Sequence, residues 1–397
     1  MKTIDTDVLV VGAGPAGSIT AKYAAKGGAD VLMIEKRPEI GIPVRCGEGI
    51  AKRWIGDVGI ALDRRWIALE VEGARVISPN GTEFCINERL AGNEVGTVIE
   101  RSIFDKTLAR DAANSGARIM LRTSARNVLR QDGRIVGVKA VSDGEPLEIR
   151  AKLVVGADGF ESQVGRWAGI DTTLEDNDVI TCIQYRLANC KPNTDYCDFY
   201  MGSGAPGGYV WIFPKDETTA NVGLGIQLSK ISDKGTIKSY LDKWIANNPN
   251  YSMGQPVDMI SGGVSVSPPL DETTADGVLL VGDAARMIDP ITGGGIANGC
   301  IAGKEAGVVA ALAVEGGDTS KAFLQQYEQR WRKKLEKALF RNWIAKEKLV
   351  TLSDETFDKI IGTLAEVGVD KLSVGNILTV INERHPELVE EFADLLG

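Results

Sequence analysis

The 397-residue chain has one histidine, His385, which stands before a proline near the C-terminus. One imidazole disfavours a Ser-His-Asp triad, a histidine-ligated metal centre and most histidine acid–base chemistry. The six cysteines (Cys46, Cys85, Cys182, Cys190, Cys197 and Cys300) are scattered and form no CxxC pair. Cysteine-pair metal sites are therefore not expected, and the thiols should be mostly reduced, as in the cytoplasm. Positive charge is scarce: 45 Lys and Arg against 54 Asp and Glu give a net charge of −9. That balance argues against nucleic acid as the main partner, since phosphate binding needs a basic surface. No apolar run looks long enough to span a bilayer, and no leader is expected ahead of the first strand. With 44% hydrophobic residues, a sizeable core can be buried in two or three domains or one interleaved body. The chemistry is expected to rest on a bound cofactor.

Residues 7–36 point to that cofactor. "DVLVV" suits a buried parallel strand, and Gly12, Gly14 and Gly17 follow it as GxGxxG. Gly12 permits a tight turn, Gly14 lets a pyrophosphate approach the backbone, and Gly17 lets the helix pack on the sheet. That helix is predicted from about Ala16 to Lys26, with its positive N-terminus facing the pyrophosphate. The strand "ADVLMIE" ends at Glu35, whose carboxylate can accept hydrogen bonds from ribose hydroxyls. This unit predicts dinucleotide binding without separating FAD from NAD.

Two later segments favour FAD. "LVVGADGFESQVGR" is a strand leading into Asp158-Gly159 and a helix. "GVLLVGDAARMIDPITGGGIANGC" is a strand, then Gly282-Asp283, then a glycine-rich turn through Gly295 and a helix of small residues. An aspartate at such a strand end can bind a ribityl hydroxyl, and the helix N-terminus can stabilise negative charge on a flavin. These motifs, in this order, resemble the superfamily of FAD-dependent aromatic hydroxylases and geranylgeranyl reductases. The helix at "ERSIFDKTLARDAANSGA" is similar to one whose leading arginine, here Arg101, contacts FAD. The resemblance implies an α/β fold: a Rossmann-like FAD-binding domain (1–75, 96–168 and 276–318) with an inserted antiparallel-sheet substrate domain (76–95 and 169–275). Residues 319–397 would form a helical region. Further FAD contacts are implied from Ala16, Ala125 and Ile296.

The middle segment narrows the branch. "GGYVWIFPKDETTANVGLG" reads as a strand with Tyr209, Trp211 and Phe213 on one face, a turn at Pro214-Lys215-Asp216, and a returning strand ending Gly-x-Gly. Three aromatics on one face are either a core face or a pocket wall. The pattern resembles the substrate signature of geranylgeranyl reductases, which implies that they line a prenyl channel. In that family a cysteine loop follows the first βαβ unit, and "RCGEG" stands in its place. Backbone from Cys46, Gly47 and Gly49 would contact the cofactor, with the Cys46 thiol facing its reactive edge. The alternative for Cys46 is a thiol that merely packs.

The resemblance implies saturation of isolated C=C bonds, with hydride from flavin N5 and a proton from a site acid. The archaeal branch, which acts on ether-linked membrane lipids, is the most similar. The candidate donors are Cys46, Glu48, Tyr209 or a water, and the aromatic wall, Trp211 included, could stabilise developing positive charge. The partners implied are a geranylgeranyl lipid and an electron donor, reduced ferredoxin or NAD(P)H. A monooxygenase acting on an apolar compound and a non-catalytic flavin-binding lipid carrier are the competing readings. In the C-terminal third, Trp331, Leu335, Leu339 and Trp343 recur at i, i+4 on a helix otherwise rich in Lys and Arg. Its basic face is either simply solvated, or meets anionic lipid headgroups at the inner face of the membrane or the polar end of a phospholipid substrate. "HPELVEEFADLL" reads as a closing helix without chemistry. Cys46 and Cys300, on segments expected to converge on one ring, either lie close enough to cross-link or pack separately.

Overall fold

The computed structural model describes residues 2–87, 96–231, 235–368 and 374–389. Parallel strands form its centre. Strand Lys2–Val11 lies between Glu145–Gly156 and Val31–Ile34, with Val8 opposite both Leu153 and Val31. Val278–Leu280 and Arg118–Met120 extend the sheet on either side. Val8, Leu9, Val10, Val154 and Leu279 are fully buried, in one core cluster with the helix residues Ala21 and Ala306 and with Val138 and Ala140 of the antiparallel strand Arg134–Ser142. Each such Val or Leu side chain contributes about 1.5–3 kcal/mol through burial. Helix α1 (Pro15–Lys26) follows the first strand, and α2 (Arg101–Asn114) packs beside it. The short α3 (Gln163–Ala168) follows the GADG turn. Four of these strands end on one side of the sheet, which sets Gly12, Glu35, Asp158 and Asp283 along one rim.

A seven-stranded sheet stands against this unit. Its strands Val179–Ala188, Thr219–Gln227 and Tyr209–Pro214 pair antiparallel, and α4 (Ile237–Ala246) covers one face. One pair is parallel: Tyr196–Tyr200 lies beside Gly73–Ile77. The latter strand straddles the expected division at residue 75. Part of the segment expected at 76–95 (residues 88–95) lies outside the described residues.

Helix α5 (Ile296–Glu315) differs from expectation. It is long and apolar enough, by length and composition, to cross a membrane. Asn298, Lys304 and Glu305 interrupt the run and hid it in the sequence. In the fold it is mostly buried against α1. A Cβ at Gly303 would lie 2.7 Å from the Ala16 carbonyl oxygen, and one at Gly307 would lie 2.5 Å from that of Thr20, so small residues set this close approach. The long α6 (Lys321–Leu349) places Trp331, Leu335 and Leu339 in the central core, while Trp343 is only half-buried. Then α7 (Asp354–Val367) and α8 (Val374–Arg384) fold onto the second sheet. Of the expected closing segment, Pro386–Val389 is helical, and residues 390–397 lie outside the described residues.

Candidate active site

A cavity of about 1810 Å³ runs between the two sheets. At one end is the GxGxxG turn. Gly12 has φ 107°, and a Cβ there would lie 2.3 Å from the Ala157 carbonyl oxygen. A Cβ on Gly17 would sit 2.0 Å from the Gly12 oxygen, so Gly17 is a packing glycine and does not line the cavity. Gly14 meets nothing within 4 Å and opens onto the cavity, where only a ligand could need the space. It caps α1 with no side-chain acceptor, leaving first-turn N–H groups aimed outward. Ala16 lines the same end. The Glu35 carboxylate accepts from the backbone N–H of Ala13 (3.1 Å) and of Arg37 (3.0 Å), which fixes it at the rim. Ala125 stands nearby on the cavity wall.

Asp158 and Asp283 also line the cavity. Asp158 accepts from Ser162 Oγ and the Val164 N–H, both at 3.0 Å, while burial pushes its carboxyl up. The Asp283 carboxylate takes no hydrogen bond from any described residue. Burial pushes it up, with Arg101 pulling the other way. A Cβ on Gly295 would lie 2.8 Å from Asp283 Oδ1, so glycine is needed there. Gly295 caps α5, again with no side-chain acceptor, and Ile296 follows it on the wall. Two uncapped helix N-termini, an unpartnered carboxylate and an open glycine on one cavity fit a flavin dinucleotide.

The RCGEG loop crosses the middle of the cavity, with Cys46, Gly47 and Gly49 on its wall. Long-range contacts that sequence reasoning missed hold it there. Gln184 donates to the Cys46 carbonyl (3.0 Å) and accepts from Trp211 Nε1 (2.7 Å). Asn221 donates to the Gly47 carbonyl (3.1 Å) and to Glu48 (2.7 Å). A Cβ on Gly47 would lie 2.7 Å from the Phe213 ring. The Glu48 backbone N–H donates to Cys46 Sγ (3.2 Å). Burial pushes the Cys46 thiol up, the adjacent Arg101 guanidinium opposes this, and the net effect holds the thiol protonated.

Glu48 is corrected as a proton donor. Its side chain is 1% exposed and meets Lys215 Nζ at 2.6 Å and Arg186 Nη2 at 2.8 Å. It also accepts from the Arg101 N–H at 2.7 Å. Burial raises its pKa, but Lys215 and these hydrogen bonds outweigh that and leave it lowered. An anion so held keeps its charge and anchors the loop. Lys215, expected in a turn, is itself buried and donates to the Ile99 carbonyl. Arg101 turns its guanidinium to Asp105 (2.7 Å) beside Cys46 and lines the cavity.

The aromatic strand forms the far wall. Tyr209, Trp211 and Phe213 all line the cavity, with Trp211 and Phe213 at 9% and 8% exposure. Trp211 lies flat over the returning strand: a Cβ at Gly223 would fall 2.4 Å from its ring. The Gly-x-Gly pattern therefore makes room for the indole. Phe199, from the neighbouring strand, joins Tyr209 and Phe213 edge-on at 5.5 and 5.7 Å. The Tyr209 hydroxyl donates to the Thr292 carbonyl of the glycine-rich turn, tying the second sheet to the first. Beyond the aromatics, Phe357, Ile361 and Leu364 of α7 complete an apolar chamber. The expectation of a helical region at 319–397 did not show which surface this helix meets.

Cys46 and Cys300 are not paired. All six thiols are free, and Cys300 is fully buried with Ile50, Phe104 and Ala297, away from the cavity wall.

This combination of nucleotide cradle, flanking sheet and shared cavity defines a flavoprotein of the aromatic-hydroxylase type. Residues 7–201 match the FAD dependent oxidoreductase family and residues 178–264 the geranylgeranyl reductase catalytic domain. The digeranylgeranylglycerophospholipid reductase of Picrophilus torridus is 48% identical over 395 residues, covering 99% of this chain and 100% of the relative. That of Thermoplasma acidophilum is 48% identical over 392 residues, covering 98% and 99%. The chain belongs to the digeranylgeranylglycerophospholipid reductase family of FAD-dependent oxidoreductases. A crystal structure of a geranylgeranyl bacteriochlorophyll reductase-like protein from Thermoplasma acidophilum superposes with a TM-score of 0.94 at 47% identity, covering 99% of this chain and 100% of that one. A p-nitrophenol 4-monooxygenase from Pseudomonas putida shares the fold alone, with a TM-score of 0.72 at 16% identity over 100% and 99% of the two chains.

Proposed function

We propose that this protein saturates the C=C bonds of geranylgeranyl chains on glycerophospholipids of the archaeal type, with FAD as its redox cofactor. The observation that carries this reading is one continuous cavity. It joins the nucleotide cradle at Gly14 and Asp283 to an aromatic and apolar chamber, with Cys46 between them. Gly12, Gly14, Glu35, Asp158, Asp283 and the N-terminus of α5 would hold FAD. When bound, FAD supplies the hydride that adds to one alkene carbon.

The second alkene carbon needs a proton. An unactivated alkene is a poor hydride acceptor, so a nearby acid and a dry site are required. Cys46 fits that role because burial keeps its thiol protonated. Gln184 and Asn221 fix the carbonyls of Cys46 and of the next residue, Gly47, so the thiol's position does not depend on the bound lipid. Trp211, Phe213 and Phe199 exclude water and present ring faces and edges to the chain. The Tyr209 hydroxyl, committed to Thr292, holds the chamber closed against the glycine-rich turn. Each double bond consumes two electrons and two protons in total. We assign the electrons to an external donor, reduced ferredoxin or NAD(P)H.

The test is anaerobic. Chemically reduced holoprotein mixed with a digeranylgeranyl phospholipid should regain the oxidised flavin spectrum, with one equivalent reoxidised per double bond saturated. Reoxidation only on admitting oxygen, with oxygen found in the product, would instead select a monooxygenase. Lipid binding with no reoxidation would select a carrier.

A further inference from the structure

Helix α6 is basic in an acidic chain: between Lys321 and Leu349 it carries nine Lys and Arg against three Glu. These charges are not evenly used. Arg332 pairs with both Glu328 and Glu336, and Lys334 pairs with Glu305. Lys333, Lys337 and Arg341 instead form an i, i+4, i+8 row. All three are exposed and make no ion pair with any described residue. Like charges at this spacing repel and weaken a helix, so the row costs stability unless something anionic lies against it. Beside it Phe340 is 49% exposed and stacks at an angle on Trp343, 5.4 Å away. A large aromatic next to an unpaired cationic row has the composition of a face that meets a lipid–water interface. The row ends at the cavity, because Arg341 is one of its wall residues.

We propose that this face of α6 docks the protein on an anionic bilayer. Lys333, Lys337 and Arg341 meet lipid phosphates and Phe340 enters the headgroup layer. The cavity mouth beside Arg341 then opens toward the membrane, so that a prenyl chain can pass between them without crossing water. Over eight residues the row spans about 12 Å, enough to meet two neighbouring headgroups. The choice of a bilayer over another polyanion rests on the proposed lipid substrate.

The experiment uses the full-length holoprotein and vesicles, either of neutral phosphatidylcholine or of phosphatidylcholine mixed with phosphatidylglycerol. Sedimentation should show binding to the anionic vesicles only, and high salt should weaken it. Each neutralised cation should cost about five-fold in affinity, and Lys333→Gln/Lys337→Gln/Arg341→Gln together about 100-fold. Lys333→Arg/Lys337→Arg/Arg341→Lys should retain binding, and both variants should keep their flavin. Equal binding to neutral vesicles overturns the proposal. So does undiminished binding by the glutamine variant, or a preference for polyuridylic acid over the anionic vesicles. Wild-type reduction of a detergent-dispersed geranylgeranyl lipid is measured separately, so failure of the reductase reading appears there and failure of docking appears only with vesicles.

Discussion

Glu48→Gln tests the anchoring of the cysteine loop. The substitution keeps volume and removes one charge from a nearly sealed cluster. Lys215 would keep Glu100 at 3.1 Å and the Ile99 carbonyl at 2.6 Å, and Arg186 would keep Glu100 at 3.2 Å. Breaking a buried ion pair by removing one partner costs about 3–5 kcal/mol, and the surviving Glu100 contacts put this case near the lower end. We expect a loss of about 3 kcal/mol, read as a lower urea midpoint at unchanged slope. The loss should also depend on pH. Glu48 has a folded-state pKa below its ordinary 4.5. Its contribution is therefore complete above that value and disappears as pH falls through the folded one. Wild type should lose more stability on acidification than Glu48→Gln. The variant should turn over more slowly because the Cys46 loop is no longer pinned. A midpoint within about 0.5 kcal/mol of wild type, with the same acid limb, would refute the anchoring role.

Gly14→Ala should leave stability within about 1 kcal/mol, since the site is open and its φ of −69° suits alanine. It should weaken FAD binding at least about tenfold by fluorescence titration, because only the cofactor needs that space; unchanged affinity would put the pyrophosphate elsewhere. Gly223→Ala should cost about 1–3 kcal/mol by displacing the Trp211 ring, and should slow turnover of long chains with FAD retained. Thermal melting and turnover equal to wild type would show that the indole does not need that glycine. Cys46→Ser should keep FAD, because the backbone contacts survive, yet lower turnover by about 10²-fold or more. A fully active serine variant would make the thiol a packing group and pass proton delivery to Tyr209 or water.

The glycines of the nucleotide cradle were legible because each acts within a short stretch: strand, turn and helix are consecutive, and the turn dictates where a Cβ cannot go. Tyr209, Trp211 and Phe213 were legible as one face because a strand alternates with period two. Glu48 was misread because an acid two residues from a thiol looks like a proton donor. The cations that fix its charge, Arg186 and Lys215, lie more than a hundred residues away. Gln184 and Asn221 gave no signal for the same reason: each is an amide in a mostly apolar strand, and its role depends on which loop crosses above it. The chamber wall from α7 lay within the expected helical region, but helix content does not say which surface a helix meets. Lys215 looked like an ordinary turn residue, since the turn's chemistry gives no sign that the sheet beneath it carries a buried carboxylate.

The central claim is tested most directly by product mass. Protein kept reduced by excess dithionite is incubated without oxygen with a digeranylgeranyl glycerophospholipid, and the lipid is analysed by mass spectrometry. The account predicts a ladder of products, each heavier by two hydrogens per double bond, up to full saturation. Recovery of unaltered lipid, or of lipid carrying added oxygen when air is admitted, would contradict it.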